Sequence, residues 1–150
     1  MAIDFNSHHS LCELRQKIII SRDKRGRCEH RAENRDLCRV RQYRVDGDLI
    51  NTGKRCDFAL LNVDAETAYM IELKGADIHY AIKQVEESGQ AFKAELPEYR
   101  LFYRIIYRSR TQAVHDEKTR RWLERCGRDT YKGNFRQIAI ISQLTYTECI

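Results

Sequence analysis

The chain has 150 residues, 42% of them apolar, and a net charge of +5, which is enough to close one core in one ordinary domain. Its only proline is Pro97 and its glycines are scattered, which excludes a disordered linker or a low-complexity segment. No apolar run approaches the roughly 18 residues of a membrane span, and MAIDFNSHHS lacks the pattern of a secretory signal, so the expectation is a cytoplasmic, membrane-free single domain over 1–150.

From Ser10 to Ile20, Leu11, Leu14 and Ile18 fall on one helical face, and Ser10 can cap it, so the spacing predicts a first helix. Residues 21–36 are polar and basic, and read as a loop or a frayed helix. Cys38 to Val45 alternates as a strand and ends at the turn signal Asp46-Gly47. Further strands are expected at 55–62 and 67–74, the second ended by Gly75. Asp77 to Glu95 reads as a helix capped by Asp77, with Ile78, Ala81, Ile82, Val85, Gly89 and Phe92 on one stripe. An apolar strand at 100–107, a charged helix at 115–126 and a buried strand at 135–142 complete the order. The fold class is α/β, a central mixed β-sheet flanked by helices.

The most informative stretch is the pair of strands RCDFALLN and YMIELK. A connection at Val63 to Glu66 centres the hairpin so that Asp57 lies opposite Glu72, about 4.5–5.5 Å away at Cα. Period-two alternation then places Asp57, Glu72 and Lys74 on one face, and Phe58, Leu60, Tyr69, Ile71 and Leu73 on the other. Two carboxylates so close repel unless a proton or a cation lies between them. Facing oxygen ligands suit a hard ion, Mg²⁺ or Mn²⁺, with Lys74 placed to orient a water or to stabilise growing charge at phosphorus. A plain cross-strand acid pair neutralised by a lysine has the same pattern.

Charge is uneven along the chain. Residues 15–55 carry +7, residues 56–97 carry −5 and residues 98–128 carry +5, and 19 of the 27 cations are arginine. Basic segments around an acidic one suggest a polyanion partner, with the arginine fork suited to phosphate. Arg39, Arg41 and Arg44 on the first predicted strand, Arg104 and Arg108 among the aromatics near 100–110, and Arg120 and Arg121 on the charged helix are the candidate contacts. Solvated strand and helix faces would look the same. The six cysteines include no CxxC pair, and Cys28, His30 and Cys38 match no compact zinc module, so they read as reduced, mostly buried thiols.

Asp57, followed after fourteen residues by Glu72-Leu73-Lys74-Gly75, resembles the PD-(D/E)XK nuclease superfamily, the restriction-endonuclease-like fold. Cys56 stands where the proline of that name would be. The inferred element order over about residues 10–142 is similar to the superfamily's αβββαβ core. The resemblance implies Asp57 and Glu72 as metal ligands with the Leu73 carbonyl between them, and Lys74 as the catalytic lysine. It also implies an acid from the N-terminal region, named here as Glu33 from a set that includes Glu13 and Glu29. A helix glutamine follows in some relatives, and Gln84, with Gln90 as fallback, takes that place. The implied activity is Mg²⁺- or Mn²⁺-dependent phosphodiester hydrolysis, in DNA, structure-directed or weakly sequence-specific, with targeting by a protein partner or a homodimer mate. A non-cleaving nucleic-acid- or protein-binding module on the same scaffold, and an RNA endonuclease, are the competing expectations.

Overall fold

In a computed structural model of the chain, the described residues are 3–24, 28–73, 77–107, 117–127, 138–141 and 144–150. The strands are β1 (Ile18–Arg22), β2 (Glu29–Glu33), β3 (Val40–Arg44), β4 (Phe58–Asn62), β5 (Thr67–Leu73), β6 (Arg100–Ile106), β7 (Ile138–Ile141) and β8 (Thr145–Cys149). Two α-helices accompany them, α1 (Ile78–Glu95) and α2 (Glu117–Gly127). The strands form a five-stranded sheet in the order β3-β4-β5-β6-β7 and a three-stranded sheet in the order β1-β2-β8. Both sheets are mixed, which makes the class α/β. No helix among the described residues is long and apolar enough to cross a membrane.

The predicted first helix is not formed. Residues Phe5–Ser7 make one 3₁₀ turn, and the rest of the segment reaches β1 through bends and a turn at Leu14-Arg15. Its backbone instead serves the edge of β3, with Leu11 donating to the Gln42 carbonyl at 2.8 Å and Val40 donating to the Leu14 carbonyl at 2.7 Å. An exposed edge strand needs such a cover, and the three consecutive isoleucines at Ile18 to Ile20 favour an extended chain. Leu11 and Leu14, the expected apolar stripe, are 56% and 53% exposed. The polar stretch 21–36 likewise contains a strand, β2, where a loop or helix was expected.

The larger sheet buries both faces. Tyr69, Ile71 and Leu73 pack with Phe58, Leu60, Phe102 and the Ile19 and Ala32 side chains of the smaller sheet. Ala59, Leu61, Ala68, Met70 and Ile105 pack on the other face under α1 and Trp122 of α2. The β5 and β6 strands are parallel, and α1 is the crossover such a pair requires. Asp77 caps α1 by accepting from the Tyr80 amide at 3.0 Å, and Ile78, Ala81, Ile82, Val85, Gly89 and Phe92 are its buried stripe, as the periodicity predicts. Gly89 lets α1 settle on β6, since a Cβ there would lie 2.7 Å from the Tyr103 hydroxyl.

A buried ionic cluster joins the two sheets. Arg104 of β6 is 2% exposed and grips Glu148 of β8 with two nitrogens, at 2.8 and 3.0 Å. The fully buried His30 of β2 lies 2.7 Å from the same carboxylate. Burial pushes the Glu148 carboxyl up, but the His30 ring and the Arg104 guanidinium outweigh it and hold the group below its ordinary value. Removing one member leaves an uncompensated buried charge, so Glu148→Gln is expected to lose about 3–5 kcal/mol in urea unfolding at neutral pH. A depressed folded carboxyl stabilises above the unfolded value of 4.5 and loses that contribution as pH falls through the lower folded value. Stability of the wild type therefore declines below about pH 4.5, with a shallower decline in Glu148→Gln; equal slopes and equal midpoints would contradict the assignment.

Candidate functional site

The β4–β5 hairpin has the expected register. Asn62 faces Thr67, Leu60 faces Tyr69 and Phe58 faces Ile71, where the ladder ends; Asp57 precedes β4, and its amide bonds to the Ile71 carbonyl instead of pairing with Glu72. The connection is Val63 to Glu66, where Asn62 accepts from the Ala65 amide at 3.0 Å and Glu66 takes a left-handed φ of 53°. Alternation along β5 puts Glu72 on the α1 face with Ala68 and Met70, while Asp57, just before β4, turns its Oδ2 to the Leu73 amide.

Asp57 is held from several directions. Its amide donates to the Ile71 carbonyl at 3.0 Å, its carbonyl accepts from Val45 at 2.9 Å, and its Oδ2 accepts from the Leu73 amide at 2.8 Å. Glu72 is fully buried beside Ile105 of β6, whereas Asp57 is half-buried. Lys74 lies outside the described residues. Cys56, wholly buried, sits close enough to both acids that they add to the effect of burial in pushing its thiol up. A thiol so shielded is a poor nucleophile. Alkylation of the native protein followed by peptide mapping should find Cys56 unmodified until denaturant is added; rapid native labelling would contradict the packing.

From α1, Gln84 Nε2 donates to the Arg55 carbonyl at 2.9 Å, and Ser88 Oγ accepts from the Cys56 amide at 2.9 Å. The sequence reading singled out Gln84 but not Ser88. It faces the same stripe at i+4, which is the signal that was there to be read.

The acids fit a hard divalent cation by donor chemistry. Both carry carboxylate oxygens, Glu72 on β5 and Asp57 just before β4, and Mg²⁺ commonly takes one or two carboxylates and fills the rest with water or phosphate. Among the described residues no group of three or more His, Cys, Asp and Glu side chains is placed to hold a metal. Glu33 does not join Asp57 and Glu72: it points outward from the smaller sheet and pairs with Arg35 at 2.7 Å. Glu13 and Glu29 are also remote from them in the fold, the first in the β3 edge cover and the second paired with Arg22.

The candidate nucleic-acid contacts are dispersed. Arg41 is exposed opposite Leu61, four positions along the strand from Asp57 or about 13 Å. Arg39, beside it at the hairpin-turn end, is paired with Asp64 at 2.7 Å. Arg44 lies over the Phe58 ring at 4.9 Å, on the face away from Glu72. Arg104 is not a surface cation at all, because the alternation that buries Phe102 and Ile106 buries it with them. Arg108 lies outside the described residues. Arg120 and Arg121 are exposed on α2, on the same side of the sheet as Glu72. Arg121 pairs with Glu117 and, with Lys83 and Lys118, lines a groove of about 770 Å³ floored by Ile82 and Trp122. A second cleft of about 330 Å³ runs past Lys54, Arg55 and Ser88. Neither is lined by Asp57 or Glu72.

No protein-family model matches this chain, and no curated protein or solved structure does so.

Proposed function

We propose that this chain is a divalent-metal-dependent nuclease that hydrolyses phosphodiester bonds in DNA, on a variant of the restriction-endonuclease-like core. The observation that carries the reading is the open end of the β4–β5 hairpin, where the ladder stops at Phe58 and Ile71 and Asp57 Oδ2 accepts from the Leu73 amide next to Glu72. The run β3-β4-β5-α1-β6 also supports it, since it corresponds to the βββαβ part of that core. The segment before β1 stands where the core's opening helix would be.

In this reading Asp57, Glu72 and the Leu73 carbonyl hold Mg²⁺ or Mn²⁺. The ion supplies Lewis-acid stabilisation of the charge that develops on the scissile phosphate. Asp57, half-buried, is the member open to a substrate, and Glu72 anchors the set from below. Lys74 aligns the attacking water and neutralises growing negative charge. Lys83, Lys118 and Arg121 lie on the same side of the sheet and hold the backbone of the polyanion. A sheet-end role for Arg39 and Arg41 is not needed.

Full burial of Glu72, together with clefts that do not reach it, favours a second reading, a non-cleaving nucleic-acid-binding module. Incubation of supercoiled and branched DNA with Mg²⁺ or Mn²⁺ separates the two. Cleavage is expected for the wild type, with a loss of about 100-fold or more in Glu72→Gln and Lys74→Ala and a folded far-UV spectrum in both. Salt-sensitive binding with no metal requirement and no cut would instead establish the binding module. Undiminished cleavage in Lys74→Ala would remove the assigned site.

A further inference from the structure

The peptide group between Arg55 and Cys56, just ahead of Asp57, is tied at both its carbonyl and its amide to one helix. Gln84 and Ser88 sit one turn apart on α1, 4% and 1% exposed. One donates to the Arg55 carbonyl and the other accepts from the Cys56 amide, each at 2.9 Å. The chain then passes to Asp57, whose Oδ2 accepts from Leu73 at 2.8 Å. Cys56 adds a packing constraint: it is wholly buried, and its Sγ donates to the Phe58 carbonyl at 3.4 Å. Buried side-chain bonds to irregular backbone are what fix a strand entry that no ladder yet holds.

We infer that Gln84 and Ser88 are positioning residues, a two-point clamp by which α1 sets the Asp57 carboxylate against Leu73 and Glu72. The inference rests on the metal-site reading above for its consequence, but the clamp itself stands on the four contacts. Gln84 in this role touches backbone and not substrate. The clamp couples the seat of α1 to the backbone that carries Asp57.

Two variants test it, Ser88→Ala, which removes the acceptor, and Gln84→Glu, which keeps the shape and removes the donor. Native-state hydrogen exchange of the Leu73 amide reports Asp57 placement with no metal present. Mn²⁺ titration followed by electron paramagnetic resonance reports the acid pair. Both variants are expected to speed Leu73 exchange at least about tenfold relative to the β6 amides, and to weaken Mn²⁺ binding about 10–100-fold, as loss of an outer partner does at metal sites. Unchanged Leu73 protection and wild-type Mn²⁺ affinity in both variants would overturn the clamp. Faster Leu73 exchange in variants of a wild type that binds no Mn²⁺ would keep the clamp and remove the nuclease reading. If Ser88→Ala fails to fold, Gln84→Glu alone carries the same pair of readouts.

Discussion

The pairing of Asn62 with Thr67 decides every meeting along β4 and β5, because a hairpin slipped by one residue turns all its side chains to the opposite face. At this register Phe58, Leu60, Tyr69 and Ile71 face the smaller sheet, and Ala59, Leu61, Ala68 and Met70, with Glu72, face α1. A one-residue slip would turn Glu72 into the apolar seam between the sheets. The cost of burying a carboxylate unpartnered is several kcal/mol, so the register and the placement of Glu72 are one constraint.

The two faces of the larger sheet are organised by different chemistry. Under α1 a mainly apolar core receives Glu72 of β5 and the side chains of Gln84 and Ser88, which bond to the backbone just ahead of Asp57. On the opposite face Arg104, Glu148 and His30 tie β6 to β8 and β2, and Gln42 of β3 bonds to the buried Ser21 of β1. The first group leaves one acid half-open to solvent, while the second is closed and complementary in charge. That contrast is why the candidate chemistry is assigned to the α1 face and a fastening role to the other.

Much of this could be read from the chain itself. The hairpin was legible because two apolar runs of strand length flank a connection of turn-compatible residues. Helix α1 was legible because a clean stripe follows a capping aspartate. The N-terminal half was not, for physical reasons. Leu11, Leu14 and Ile18 mimic a helical face, yet backbone bonds to β3 outweigh local preference. Strand β2 buries an alanine and a histidine, and β8 buries a glutamate, so neither shows an apolar period. Arg104 was read as a surface cation although its position in RLFYRII shares a parity with Phe102 and Ile106. Its partner Glu148 lies 44 residues away, which no local pattern can supply.

The central claim is that Asp57 and Glu72 converge on one divalent ion. Anomalous diffraction from a crystal soaked in Mn²⁺ tests it most directly. The account predicts a single strong peak between the two carboxylates and within reach of the Leu73 carbonyl. Well-ordered acids with no peak between them, or side chains turned to opposite faces of the sheet, would contradict it.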